Sequence, residues 1–333
     1  MKALVTGSTG FVGGALCAAL VEKGFSVRAF HRSSSNLTLI KDLPVEHVIG
    51  DLTQPASLVS AMQGVDIVFH AAAQLGDTSK PEEHYAITVQ GTRAMLDAAL
   101  SQRVQRFIHT SSIAALGVPS MASELTPPDE SPLLTENSTW NIRAGYWSYG
   151  YAKYLAEMEI QKSVAQGLDV VICNPSYVIG PGDIYRVKDS PFKVLSSNKL
   201  PFIPTGGVNI VHIQDVVNGH LAALNYGKRG ERYILGNENL TFKALIEKFS
   251  AITHARIPKT ILSGKNLRTL AKPLQFLQSI IKLPVSIELL RFAGYGFYVN
   301  NQKSKQELHL NYLHTTDNAI RDAINWINKF SQA

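Results

Sequence analysis

The chain has 333 residues, of which 45% are hydrophobic and 17% charged, so it can bury a sizeable core and has the composition of a folded globular protein. Its net charge of +6 is dispersed in small groups such as Lys228, Arg229 and Arg232, which we interpret as a solvated surface and not as a nucleic-acid footprint. No segment reaches the ~18 to 20 apolar residues of a membrane span, and glycines interrupt the N-terminal segment where a signal peptide would be apolar. We therefore expect a cytoplasmic protein without a metal site, in which Cys17 and Cys173 are small buried residues.

The first half of the chain alternates short β-branched runs with longer helical patterns. Strands are predicted over residues 2–5, 26–31, 45–49, 67–70, 106–110 and 170–174, and helices over residues 11–23, 81–102 and 148–166. Strands that are apolar almost throughout and alternate with helices predict an α/β fold, in which a parallel sheet is covered by helices on both faces.

The regular alternation ends near residue 180, and prolines 181, 191, 201 and 204 mark a loop-rich stretch beyond it. We expect a first domain over residues 1–180, with a contribution from about residues 208–226, and a smaller substrate-binding lobe over residues 181–333. Within this lobe, residues 262–299 are rich in Leu, Ile and Phe with interspersed Lys and Arg, which predicts an amphipathic lid. A membrane-surface helix and a lining for an apolar pocket are alternatives for that stretch.

A glycine-rich loop, Gly7-Ser-Thr-Gly10-Phe-Val-Gly13, joins the first strand to the first helix. Gly7 allows a tight turn, Gly10 lets the backbone approach a pyrophosphate, and Gly13 lets the helix pack closely on the strand. The N–H groups at the start of the helix then face the anion. We therefore predict a dinucleotide site that includes Gly7, Thr9, Gly10, Phe11, Val12 and Gly13.

More of this predicted site follows the third and fourth strands. Asp51 lies where a carboxylate can accept a hydrogen bond from an adenine amino group, and Leu52 lies where a side chain can pack on the adenine ring. Ala71, Ala72 and Ala73 follow the fourth strand, and their small side chains let the backbone approach the cofactor. We predict that all five residues contact the dinucleotide.

The end of the second strand bears on the choice of cofactor. A site that prefers NAD usually has an acidic residue there for the ribose hydroxyls. This chain has Arg32, followed by Ser33 and Ser34. Because arginine pairs with phosphate in a bidentate manner, the pattern favours NADP(H), with NAD(H) as the alternative.

Tyr149 and Lys153 are four residues apart, on one face of a predicted helix. A tyrosine is a poor acid or base at neutral pH, but a neighbouring ammonium group favours the phenolate. Thr110, Ser111 and Ser112 end the fifth strand, and Ser112 can hydrogen-bond the substrate oxygen with which Tyr149 exchanges a proton. We predict that Ser112, Tyr149 and Lys153 are catalytic, and that Thr110, Tyr149 and Lys153 contact the cofactor.

Together these motifs resemble the extended short-chain dehydrogenases/reductases of the NAD-dependent epimerase/dehydratase superfamily, and within it the dihydroflavonol reductase-like enzymes. The motifs are Thr6-Gly-x-x-Gly10-x-x-Gly13, Asp51-Leu52, His70-Ala-Ala-Ala73, Gly91-Thr92, Ser111-Ser112, Tyr149-x-x-x-Lys153, Asn174-Pro-Ser-Tyr-Val-Ile-Gly180-Pro-Gly-Asp183 and Val211-His-Ile-Gln-Asp215-Val-Val-Asn-Gly-His220. The resemblance implies a Rossmann-type doubly wound sheet, contacts to the nicotinamide from Pro175 and Ser176, and a homodimer formed by the two long helices.

Two departures from the family pattern concern the substrate. Nucleotide-sugar members carry an Asn and an Arg for the diphosphate where this chain has Tyr177 and Val208. We therefore expect an NADP(H)-dependent oxidoreductase that acts on a carbonyl or secondary alcohol of a mostly apolar small molecule, with Tyr177 as a substrate contact. One alternative is a sugar-nucleotide epimerase or dehydratase, in which Arg186, Lys188 or Lys193 would bind the diphosphate. A second alternative is a non-catalytic dinucleotide sensor.

Overall fold

The computed structural model describes residues 1–75, 80–121, 124–184, 200–269 and 290–330. Its strands are β1 (Lys2–Thr6), β2 (Ser26–His31), β3 (Glu46–Ile49), β4 (Ile67–His70), β5 (Arg106–Thr110), β6 (Val170–Pro175), β7 (Tyr177–Ile179), β8 (Ile203–Pro204), β9 (Gly207–His212), β10 (Arg232–Leu235), β11 (Glu238–Thr241), β12 (Ile261–Leu262) and β13 (Gly296–Phe297). Its α-helices are α1 (Phe11–Glu22), α2 (Pro55–Met62), α3 (Pro81–His84), α4 (Gly91–Ser101), α5 (Ser148–Ala165), α6 (Ile213–Tyr226), α7 (Phe242–Thr253), α8 (Gln302–Glu307) and α9 (Thr316–Phe330). A π-helical segment covers Tyr85–Gln90, and 3-10 helical turns cover Ile113–Leu116, Pro128–Glu130 and Ala144–Tyr146.

Seven of the described strands form one parallel sheet, in the order β10-β6-β5-β4-β1-β2-β3. The direction of winding reverses between β1 and β4. In open sheets of this kind, ligands bind at the carboxyl ends of the strands beside such a reversal. The predicted strands and helices that build the sheet agree with the structure to within one residue at each end, whereas the edge strand β10 was not predicted.

Both faces of this sheet are covered by helices, as the apolar strands predicted. Helices α1 and α6 pack on one face, in a cluster that contains both free cysteines, Cys17 and Cys173. Helices α2, α4 and α5 supply buried residues on the other face, among them Leu58, Met95 and Ile160. The α/β fold class is thereby confirmed.

A second, smaller sheet lies next to the carboxyl end of β6. β9 pairs with β7 and β13 in parallel and with β11 in antiparallel fashion, so segments more than 100 residues apart in sequence meet there. The amphipathic helix α9 packs against this sheet through Ala319 and Ala323, which contact Ile179 and Ile210. The first strand of this sheet, β7, therefore begins at the residue that follows the predicted nicotinamide contacts.

Candidate active site

The glycine-rich loop forms a cradle that side chains would fill. Gly7 has φ +64°, a conformation that favours glycine, and a Cβ there would lie 2.8 Å from the Ala72 amide nitrogen. A Cβ on Gly13 would collide with the Gly7 carbonyl. Gly10 precedes α1 without any side-chain cap, and its own N–H donates to the Gly7 carbonyl at 2.9 Å. The first amides of α1 thus have the arrangement that binds a pyrophosphate.

His70 connects the two central strands beneath this cradle. Its ring nitrogens are hydrogen-bonded to the Thr6 hydroxyl at 2.7 Å and to the Thr92 hydroxyl at 3.0 Å, and the ring is fully buried. Burial, reinforced by the charge of Lys153, lowers the pKa of His70 to about 3. His70 is therefore a neutral side chain whose hydrogen bonds connect β1, β4 and α4.

The ends of β2 and β3 bring Arg32 and Asp51 to one edge. Gly50 donates to the His31 carbonyl at 3.0 Å, so the residues that follow the two strands are neighbours. Two hydrogen bonds from Thr53 lower the pKa of the Asp51 carboxyl, and the charge of Arg32 adds to the effect. Arg32 is exposed, while Leu52 is buried nearby.

Lys153 is held at the carboxyl end of β5. Its side chain is buried, and Nζ donates to the Thr110 carbonyl at 2.7 Å. Burial lowers the pKa of Lys153 to about 8, and Glu157 acts in the opposite direction. Tyr149 lies one helical turn earlier on α5, and its ring meets the His84 ring edge-on at 6.2 Å between centroids.

Ser112 lies just past the end of the same strand. Its Oγ accepts from the Ala114 N–H at 3.2 Å and begins the helical turn Ile113–Leu116, and an accepting hydroxyl can still donate its proton. A Cβ on Gly150 would lie 2.9 Å from the Ala114 carbonyl, so only glycine lets the first turn of α5 approach this closely. The structure thus brings Ser112 and the first turn of α5, which carries Tyr149, to the same strand end.

Thr110 offers less to a cofactor than its position suggests. His220 Nδ1 donates to the Val216 carbonyl at 2.8 Å, so its Nε2 accepts a hydrogen bond from the Thr110 hydroxyl, also at 2.8 Å. The Thr110 hydroxyl therefore donates to His220 inside the core, and the Thr110 carbonyl accepts from Lys153.

Pro175 ends β6, and Ser176 follows it with its N–H donating to the Leu235 carbonyl at 2.9 Å. The Ser176 hydroxyl is buried and has no hydrogen-bond partner among the described residues. A buried hydroxyl without a partner is unfavourable, so this atom suits a polar ligand such as a carboxamide. The cradle and this hydroxyl together fit a nicotinamide dinucleotide laid across the carboxyl ends of β1, β4 and β6.

Comparison with known proteins agrees with this geometry. The model of the NAD dependent epimerase/dehydratase family matches residues 3–236. The chain belongs to this family. It is 34% identical to a putative dihydroflavonol 4-reductase from Synechocystis sp., over 97% of this chain and 93% of that protein. It is 30% identical to the sterol demethylase protein B of Methylococcus capsulatus, over 98% of each protein. The crystal structure of gox2253 superposes with a TM-score of 0.83 at 33% identity, covering 99% of each chain.

Membership of the NAD dependent epimerase/dehydratase family makes the chain an NAD(P)-dependent oxidoreductase enzyme, as the sequence predicted. None of the helices in the described ranges is long and apolar enough to cross a bilayer. The described residues likewise contain no group of three or more His, Cys, Asp or Glu side chains placed to hold a metal ion. Most of the stretch 262–299, namely residues 270–289, lies outside the described residues, as do Arg186, Lys188 and Lys193.

Tyr177 and Val208 lie on β7 and β9 of the second sheet. Tyr177 pairs with Ile210, so it shares a face with Val208, and both side chains pack against the apolar cluster that includes Ile179. Neither position carries a positive charge. In this member of the family, the two positions are part of an apolar surface.

One expectation from the sequence is wrong. Arg232 is not part of a solvated surface, because its guanidinium lies against the buried carboxylate of Glu157, with Nη1 3.0 Å from Oε2. Lys228 and Arg229, by contrast, are exposed at the turn before β10. Glu157 was not predicted as a site residue, although its spacing of four from Lys153 places it on the same helical face.

Proposed function

We propose that this enzyme is an NADP(H)-dependent oxidoreductase that reduces a carbonyl group, or oxidises the corresponding secondary alcohol, of a mostly apolar small molecule. The observation that carries the proposal is the placement of Lys153. Its ammonium group is buried, is hydrogen-bonded to the Thr110 carbonyl and lies one helical turn from Tyr149. Burying a charge costs free energy, and a charge in this position has a use because it can assist proton transfer by Tyr149. A protein that only bound a dinucleotide could use this ammonium group on the ribose, but it would not need Ser112 and Tyr149 beside it.

The proposed chemistry divides between cofactor and protein. A bound nicotinamide supplies or accepts the hydride. Tyr149 gives a proton to the substrate oxygen during reduction, and the Ser112 hydroxyl donates a hydrogen bond to the same oxygen. The positive charge of Lys153 stabilises the phenolate that Tyr149 becomes, and the ammonium group also binds the ribose hydroxyls. Pro175 and Ser176 would hold the nicotinamide, and the Ser176 hydroxyl, which has no partner among the described residues, would bind its carboxamide.

The apolar substrate is supported by the surroundings of Tyr177 and Val208. Transferring the diphosphate of a sugar nucleotide from water to protein needs fixed cations or several amide donors. One phenol and one valine in an apolar cluster supply neither, so the binding lobe suits an apolar ketone better. The 2′-phosphate preference is supported by Arg32, Ser33 and Ser34, all exposed after β2 and without an acidic side chain among them.

The test of this proposal is a cofactor and substrate screen on the purified protein. We expect NADPH to bind more tightly than NADH, and apolar ketones or aldehydes to accelerate NADPH oxidation. Ligands at 100 times their dissociation constant stabilise a folded protein by about 2.7 kcal/mol, which a thermal melt detects. A thermal shift with a UDP-, GDP- or dTDP-sugar, beyond that of the bare nucleotide, would favour epimerase or dehydratase activity instead.

We further propose that residues 1–180, with residues 208–226, bind the cofactor, that residues 181–333 bind the substrate, and that the enzyme is a homodimer formed through α4 and α5. Tyr85, beside α4, and Met158 on α5 support the dimer, because both are exposed apolar side chains on this part of the surface. Light scattering should give twice the 36.4 kDa chain mass. A monomer at micromolar concentration would contradict the dimer but not the activity.

A further inference from the structure

Glu157 is a buried carboxylate beneath the candidate active site. It lies on α5 one turn after Lys153 and is only 2% exposed. Oε1 accepts from the Ser111 hydroxyl at 2.5 Å and from Asn174 Nδ2 at 2.7 Å, while Oε2 accepts from Arg232 Nη1 at 3.0 Å. One side chain therefore joins α5 to residues at β5, β6 and β10.

Two of the residues that donate hydrogen bonds to Glu157, Ser111 and Asn174, are also connected to Ser112. Ser111 precedes Ser112 in the chain, and its side chain is anchored on the carboxylate. The Asn174 amide donates both to Glu157 and to the Ser112 carbonyl, the latter at 2.9 Å. The backbone of Ser112 is thus fixed on both sides by groups that depend on Glu157. A side chain that only filled space would not need hydrogen bonds of this specificity, since apolar residues can replace buried ion pairs without loss of stability.

Glu157 is also the charged group that acts on Lys153. From β4 and β5, Lys153 is faced by His70 and His109, which burial keeps neutral. On its own helix it is faced by Tyr149 and by Glu157, whose negative charge opposes the effect of burial. Arg232 neutralises the far oxygen of the same carboxylate. Among the residues that the structure describes, Glu157 is therefore the anion whose charge favours the Lys153 ammonium group.

We propose that Glu157 is a positioning residue of this oxidoreductase, whose carboxylate fixes the Ser112 backbone and keeps Lys153 cationic in the working pH range. The proposal rests on the function proposed above, because Ser112 and Lys153 matter only if they act on substrate and cofactor. Glu157 touches neither, so it acts through these two residues.

The test follows NADPH affinity against pH, measured by cofactor fluorescence from pH 6.5 to 10. When Lys153 loses its proton it no longer binds the ribose as a cation, so affinity falls as pH rises through its pKa. Glu157→Gln removes the opposing negative charge and moves this midpoint to lower pH, by about one to two pH units for a charge one helical turn away at an effective dielectric constant of 20. Glu157→Asp retains the charge, so the midpoint stays while kcat falls, because the shorter side chain does not reach Ser111 and Asn174 together.

Glu159→Gln is the matched control. It makes the same change two residues along α5, where the carboxylate pairs with Arg93 and Lys162 instead, so the midpoint should not move. If Glu157→Gln alone fails to fold, the double variant Glu157→Gln, Arg232→Met removes both buried charges. It should show a smaller shift to lower pH, because the lost charge of Arg232 acts on Lys153 more weakly than the lost charge of Glu157 and offsets it only in part. An unchanged midpoint in the folded single or double variant overturns the proposal, as does an equal shift in Glu159→Gln.

The pH dependence of NADPH binding is measured without a substrate, whereas the kcat comparison requires one. If the wild-type enzyme reduces no carbonyl compound, the proposed reductase activity fails, while the pH dependence of NADPH binding still reports whether Glu157 keeps Lys153 charged. If the enzyme is active but the midpoint does not respond to Glu157, only the role of Glu157 fails. Cofactor binding and turnover thus separate the two proposals.

Discussion

Tyr149 differs from phenylalanine by the one hydroxyl to which we assign proton transfer. We expect Tyr149→Phe to lower turnover roughly 100-fold or more, which is typical of losing a positioned proton donor. NADPH affinity should be nearly unchanged, because the phosphate cradle and Lys153 remain. Tyr151→Phe is the control, since Tyr151 packs on Trp140 and Tyr154 and has no lysine four residues on. Substantial turnover in Tyr149→Phe would show that another group transfers the proton.

Arg32 is the residue on which the cofactor preference depends. Arg32→Asp should weaken NADPH binding by about 1.5 to 3 kcal/mol, the value of a hydrogen bond to a charged group, and leave NADH binding little changed. The two cofactors differ only by the 2′-phosphate, so the difference between their titrations isolates this contact. Lys23→Asp is the control. It makes the same charge change at the C-terminal end of α1, the end away from the glycine-rich loop, and should affect neither titration. Equal affinity of the wild-type protein for both cofactors would contradict the assignment.

The elements that the sequence predicts well are those defined by local pattern. Strands of the central sheet are apolar runs bounded by turn residues, and their partners are set by the βαβ alternation. The edge strand β10 is short and follows an exposed basic turn, so no local feature distinguishes it. The second sheet depends on pairing between β13 and β9, about 90 residues apart, which no local period records.

In the candidate site, too, residues in a local motif could be predicted from the sequence, whereas contacts between distant segments could not. Tyr149, Lys153 and Ser112 could be named because a short motif and a strand end carry them. Glu157 could not be assigned a partner, because Arg232 lies 75 residues away in sequence and reaches it only through β10. Charge alone suggested that Arg232 is solvated, and the fold pairs it with a buried acid instead. Buried ion pairs between distant segments become visible only when the fold is known.

Helix α1 approaches β1 only because Gly13 has no side chain. We expect Gly13→Ala to lower the melting temperature and to weaken NADPH binding at least about tenfold. The added methyl group would collide with the Gly7 carbonyl and displace the backbone amides at the start of α1 that are placed to bind the pyrophosphate. Gly145→Ala is the control, since a Cβ there meets nothing within 4 Å and its backbone conformation accommodates alanine. A Gly13→Ala protein that binds NADPH normally would contradict the phosphate cradle.

The molecule as a whole buries several histidines in neutral form. His70, His109 and His220 have no exposed surface, and burial lowers each pKa, to about 3 for His70 and to about 4 for His220. In the unfolded chain a histidine has a pKa of about 6.5. Between these values the unfolded state binds more protons than the folded state. The contribution of these neutral histidines to the free energy of unfolding is therefore fully present above about pH 6.5 and is lost as pH falls toward 4.

This gives a prediction for the free energy of unfolding against pH. Each buried neutral histidine should add a slope of about 1.4 kcal/mol per pH unit between pH 6 and 4.5, so three of them make the wild-type curve steep. His220→Gln removes one proton-binding group, so urea unfolding at a series of pH values should give a shallower slope, whatever the variant loses in absolute stability with the Thr110 and Val216 contacts. His309→Gln is the control, because it replaces a histidine that is exposed in the folded protein. If the two variants have equal slopes, His220 is not held neutral in the fold.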